Sequence, residues 1–215
     1  MRTRPRTGPR TRIAVRAAAA ALALAAASGQ AATQAHAQTR EEVPQPGLIS
    51  TGDLPPDSLS WQVASIGEGW GNDGPCGGWD RGAVSEGRYF HADFFTSETA
   101  SAYEGVLVLP TEAEAVAVAD SLRGFYAGCA ARTAQQLPND VVTAQDHGTV
   151  DVEEGATVGG VHVKRINTWE DHRDYLYGVG RDGNTVAVVE WESNWTQPDI
   201  PAFKATVRAA VDKLS

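Results

Sequence analysis

From Thr111 the chain reads TEAEAVAVADSLRGFYAGCAAR, with its apolar positions at helical spacing. Ala115, Val118, Leu122, Phe125 and Cys129 recur at steps of three and four residues, which places them on one stripe facing a core. Thr111 followed by Glu114 forms a T-x-x-E capping box. The pattern therefore predicts a helix from Thr111, fraying near Arg132 after Gly124 and Gly128 have weakened its last turns. A second helix is expected at the end of the chain. Asp199 and Pro201 mark its start, and Phe203, Val207, Ala210 and Leu214 line one face.

Elsewhere the pattern changes to strands. GRYFHADFF from Gly87 and AYEGVLVL from Ala102 precede the first helix. GTVDVEE from Gly148, VGGVHVKRINTW from Val158, DYLYGVG from Asp174 and NTVAVVEWE from Asn184 follow it, the last two joined through the hairpin signal Arg181-Asp182-Gly183. The expected order is two strands, helix, four strands, helix. Strand runs linked by short turns imply an α+β fold, an antiparallel β-sheet with two main helices packed on one face.

The N-terminus carries its own signal. Arg2, Arg4, Arg6, Arg10, Arg12 and Arg16 precede an Ala- and Leu-rich run over 17–27, and Ala35-His36-Ala37 then provides an A-x-A site. This is the layout of a secretory signal peptide over 1–37, with cleavage expected after Ala37. The apolar run is too short for a permanent membrane span, so none is expected in the mature chain. No arginine pair points to twin-arginine export, and no cysteine stands at the cleavage site to carry a lipid. Residues 38–56 contain Pro44, Pro46, Pro55 and Pro56 and read as a tether, leaving 57–215 as one domain.

Cleavage alters the charge balance. Without the six signal arginines, 12 basic residues face 27 acidic ones, a net charge of −15. That argues against nucleic acid and against anionic membrane surfaces. It suits a soluble exported protein, or one with a cationic protein partner.

Candidate chemistry is sparse. Cys76 and Cys129 are the two cysteines, and in an exported chain they point to one disulfide. Closing that loop stabilises the domain by about 4 kcal/mol in the chain-entropy model. Motifs of nucleophilic hydrolases, phosphate loops and zinc proteases are missing, so no catalytic residue, metal or cofactor is expected. WEDHRDY, with Glu170, Asp171, His172, Arg173 and Asp174, could orient a general-base histidine but also fits a polar turn. His91, His147 and His162 fall in or at strands. Asp151, Glu153 and Glu154 offer oxygens for Ca²⁺ without the spacing that makes such a site specific. Asn194-Trp195-Thr196 matches a glycan sequon, to which a bacterial-looking composition gives no weight. Trp169, Trp191 and Trp195 gather near one sheet end, where they either line a ligand cleft or plug the core. With His172 they are the candidate ligand-binding residues.

LISTGDLPPDSLSW from Leu48, the cysteine before a strand, YEGVLVLPTEAEAVAVADSLRGFYAGC, YGVGRDGNTVAVVEWESNW and PAFKATVRAAVDKLS follow one another in this order. Together they resemble the PknH-like extracellular sensor domain of actinobacterial exported proteins, over most of 48–215. The resemblance implies a cleft-forming α+β domain that binds a ligand outside the cell, with no catalytic motif to carry over. This chain lacks a kinase and has fewer cysteines than the kinase ectodomain, so only Cys76 and Cys129 can be matched to a bridge. The expectation is a secreted, non-catalytic ligand-binding or sensor-like module for a small molecule or cell-wall component. The alternative is a secreted hydrolase acting on wall or polysaccharide material through a carboxylate pair such as Asp171 and Glu192.

Overall fold

A computed structural model describes residues 45–215 except 72, 85, 167–171 and 196. Seven strands form one antiparallel sheet: β1 (Gln62–Glu68), β2 (Arg88–Phe95), β3 (Ala100–Val108), β4 (Val141–Val150), β5 (Ala156–Lys164), β6 (His172–Asp182) and β7 (Thr185–Ser193). Their spatial order is β1-β2-β3-β7-β6-β5-β4. The helices are α1 (Glu112–Ala127), α2 (Cys129–Gln136) and α3 (Ile200–Asp212). The α+β class and the antiparallel sheet are as the sequence pattern predicts.

The helices do not share a face, which corrects the expectation that both pack on one side. Alternation along the central strands sends Ala187, Val189 and Trp191 of β7 to a core with Phe203, Val207 and Val211 of α3. Val186 and Val188 go to the other face, into a core with Ala115, Ala119, Leu122 and Tyr126 of α1. Strands covered on both sides read as near-continuous apolar runs, and VAVV in β7 is such a run. On the α3 side the approach is close: a Cβ on Gly178 or Gly180 would lie 2.3 Å from Val207 or 2.5 Å from Val211. Glycine at these two positions of β6 lets the helix settle on the sheet.

Helix α1 starts as expected, with the Thr111 hydroxyl accepting from the Glu114 amide. The return half of the capping box is replaced, since the Thr111 hydroxyl donates to the Glu114 carboxylate at 2.9 Å. The single helix predicted to fray near Arg132 is instead broken at Gly128, and α2 continues past that point to Gln136. Tyr126 rather than Phe125 fills the buried stripe position, and Phe125 is half-buried. The strands also differ from the pattern: β5 ends at Lys164 rather than Trp169, and β6 begins at His172, so His172, Arg173 and Asp174 lie in a strand rather than a polar turn. β4 begins at Val141, not Gly148, with a register irregularity between Asp146 and Thr149. β1 was not expected at all, because it is an edge strand whose residues are mostly exposed and show little alternation.

The end of the expected tether belongs to the folded body. Ile49 and Leu54 are buried in the α3-side core, and the Gly47 amide donates to the Lys213 carbonyl at 2.9 Å. Lys213 also pairs with Asp53, so residues 47–54 form a strap across the end of α3. Among the described residues no helix is long and apolar enough to cross a membrane.

Candidate functional site, an acidic cleft beside the disulfide

On the α1 face the loop between β1 and β2 folds back over the sheet. Cys76 of this loop is bonded to Cys129, with 5.0 Å between their Cα atoms, so the expected disulfide is present. The Arg132 side chain donates to the carbonyls of Cys76 and Phe125 and stacks 4.0 Å from the Phe125 ring centroid. The Trp79 indole donates to Ser121 of α1 at 3.2 Å. Trp70 packs against Trp79, Tyr89 and Tyr103, and its carbonyl accepts from the Tyr103 hydroxyl. The loop is thus pinned at several points, by covalent, polar and aromatic contacts.

Between this loop and strands β1, β2, β3 and β7 lies a cleft of about 400 Å³. Asp73, Asp93, Glu190 and Glu192 all line it, together with Ser101 and Tyr103, and among the described residues its lining includes no Lys, Arg or His. Asp73 is paired with Arg81 at 2.6 Å. Asp93 accepts from the Ser65 hydroxyl and lies 3.7 Å from the His91 ring. Glu192 accepts from the Ser101 hydroxyl at 3.1 Å.

Glu190 is the unusual member. Its side chain is 4% exposed, and its Oε1 accepts from the Tyr126 hydroxyl of α1. Its Oε2 is buried without a hydrogen-bond partner. That oxygen faces Gly74 so closely that a Cβ there would stand 1.2 Å from it, so any side chain in the wall opposite would have to displace the Glu190 carboxylate. Burial raises the Glu190 pKa to about 7; the Tyr126 hydrogen bond opposes the rise, and the charges of Glu192 and Asp73 add to it. The Tyr126 hydroxyl is in turn held well above its ordinary value by burial and by Glu190. A carboxyl that titrates near neutrality in a cleft with other acids marks a functional-site candidate on physical grounds.

Of the candidates read from sequence, Trp191 and Glu192 are among the residues lining this cleft, and the other described ones are not. Trp169, Glu170 and Asp171 fall outside the described residues. Trp191 is 4% exposed within the α3-side core, its side chain on the face opposite Glu190 and Glu192. Trp195 is 48% exposed. His172 stacks on His162, ring centroids 6.0 Å apart, and both flank the buried Asp174, at 3.5 Å and 2.7 Å. Asn194 accepts from the Arg173 guanidinium. Glu154 pairs with Arg181, and among the described residues no group of three or more His, Cys, Asp or Glu could hold a metal ion. His147 sits in the irregular part of β4, its pKa lowered by burial.

Glu190 and Glu192 both stand in VVEWE, where the strand pattern hides Glu190. The signal was available: an acid inside a run of apolar residues, in a strand buried on both faces, is a buried acid. Asp73 and Asp93 could not be joined to it without knowing which way the loop folds.

No family model matches the chain, and no curated protein matches it. Among solved structures, the chain is similar to the crystal structure of the extracellular domain of PknH from Mycobacterium tuberculosis, at 12% identity and a TM-score of 0.39, over 79% of this chain and 98% of that one.

Proposed function

We propose that this chain is an exported, non-catalytic ligand-binding module of the sensor-like kind, cleaved after Ala37, with the acidic cleft as the seat of its ligand. The observation that carries the reading is Glu190, which keeps an unpartnered carboxylate oxygen buried in the wall of the cleft. Leaving such a group unsatisfied costs about 1–3 kcal/mol, a cost a fold maintains where the group serves something beyond packing. Further support comes from the sequence resemblance to the PknH-like sensor domain and from a loop fixed by the disulfide, since a preorganised cleft binds with less ordering cost. The test is thermal melting of the purified chain against wall fragments, sugars, amines and metal ions. A ligand for the folded state raises the melting temperature by mass action, and Glu192→Gln should reduce the shift. If no compound class shifts the wild-type protein, the reading fails.

One observation favours a second reading. Glu190 holds its proton to about pH 7, and Glu192 lines the same cleft, which resembles the general acid and partner carboxylate of a glycoside hydrolase. Against it, the Glu190 Oε2 is covered by Gly74 and out of reach of a scissile bond. Release of reducing ends from wall polysaccharide, lost in Glu190→Gln, would establish the hydrolase and displace the binding reading.

A further inference from the structure

We infer that the cleft takes a compact organic cation with at least two ammonium groups, held by Asp93 and Glu192, with Glu190 behind them supplying further negative charge. This rests on the ligand-binding reading and gives it a ligand class.

The first argument is the donor and acceptor inventory. Carboxylates only accept, and Asp73, Asp93, Glu190 and Glu192 are four of them. The Tyr103 hydroxyl spends its proton on the Trp70 carbonyl, and the Ser101 hydroxyl spends its proton on Glu192. Neither hydroxyl therefore has a proton left to donate to a ligand. A lining made of acceptors recognises a donor-rich molecule and leaves a second acceptor unpaired, so a neutral polyol, half of whose groups must accept, fits it poorly.

The second argument is charge. Arg81 answers Asp73, and among the described residues the other basic group in contact with the four is His91, 3.7 Å from Asp93. Asp93 and Glu192 are therefore left without a Lys or Arg partner among the described residues, and Glu190 adds a third charge when it ionises. A single ammonium leaves an excess; a diammonium comes close to balance. The cleft volume of about 400 Å³ suits a small molecule rather than a peptide strand.

The third argument is the coupling. Glu190 faces Tyr126 of α1, Tyr177 of β6 across the register, Tyr103 of β3, Glu192 of its own strand and Asp73 of the loop, with Arg132 of α2 beyond Tyr126. Its direct neighbours are phenols and acids, so a bound cation is the change that favours its ionised form. Burial and the nearby acids keep Glu190 largely protonated below pH 7. Binding a cation there must release that proton, and by linkage affinity must rise with pH through the same range.

The experiment is calorimetric titration of the purified chain at pH 6.5 with 1,4-diaminobutane and spermidine, in two buffers of different ionisation enthalpy. Butane-1,4-diol, N-acetylglucosamine and CaCl₂ serve as comparison probes. The expected result is amine binding that weakens about tenfold in Asp93→Asn and in Glu192→Gln. A proton released by the wild type should be missing in Glu190→Gln, with melting curves confirming that each variant is folded. If the two amines bind no better than Ca²⁺, or bind the variants as well as the wild type, the cation assignment is overturned. If only the neutral probes bind, and Glu192→Gln weakens them, the assignment is overturned while the ligand-binding reading stands. If nothing binds, both fall.

Discussion

The Ile49 amide donates to the Glu104 carboxylate at 2.7 Å, joining the strap over α3 to the middle of β3. Glu104 is fully buried and its other oxygen has no partner. Burial raises its pKa to about 8; the Ile49 hydrogen bond and the charge of Lys213 oppose the rise, and Asp53 adds slightly to it. The folded chain therefore holds this proton more tightly than the unfolded chain. The stability it contributes is complete below the unfolded value of about 4.5 and is lost as pH rises through about 8.

Melting temperature should accordingly fall between pH 5 and pH 8, and Glu104→Gln should flatten part of that fall. The amide can still accept from Ile49 and carries no charge to bury, so the variant should match or exceed the wild type at pH 8. The effect should be of the order of a few kcal/mol. An unchanged pH slope in the variant would show that Glu104 is not the group that titrates.

Reducing the disulfide should loosen the wall of the cleft as well as the whole domain. Cys76 and Cys129 lie 53 residues apart in sequence, for which chain entropy gives about 4 kcal/mol. Reductant, or a Cys76→Ser and Cys129→Ser double variant, should lower the melting temperature by about 10 °C. Any ligand affinity of the cleft should fall with it, because Asp73 and Gly74 lie in the loop that the bond anchors.

The part of this architecture legible in the sequence is the part set by local spacing. The stripe from Ala115 to Leu122, the cap at Thr111 and the face of α3 follow from periodicity alone, and the helices stand where it puts them. Which side of the sheet each helix covers is not local. It depends on β7 crossing back between β3 and β6, a pairing between residues far apart in sequence. The break at Gly128 had a visible cause in the glycine, yet only the bridge to Cys76 and the clamp of Arg132 give α2 something to hold. The cleft was least legible, since its four acids come from a loop and two strands that alternation alone does not bring together.

Adding one methyl group to β6 tests how closely α3 lies on the sheet. In Gly178→Ala the new Cβ meets Val207 at 2.3 Å, against a packed helix rather than a free side-chain end. Overpacking of this kind costs about 1–3 kcal/mol. Chemical denaturation should show that loss with an unchanged m-value. A neutral result would mean that α3 slides outward at no cost.

The tryptophans separate packing from recognition. Trp191 lies in the α3-side core, so Trp191→Ala should cost about 3–5 kcal/mol through lost burial and an unfilled cavity. Trp195 is half exposed, and Trp195→Ala should move stability by no more than about 0.5 kcal/mol. If ligand affinity follows the cleft, a Trp195→Ala protein should bind as the wild type does, while Glu192→Gln, equally stable, should not. Paired melting and titration on these variants decides between two seats for the ligand on one sheet. A binding loss confined to Trp195→Ala would put recognition at the tryptophan end and leave the acidic cleft with a structural role.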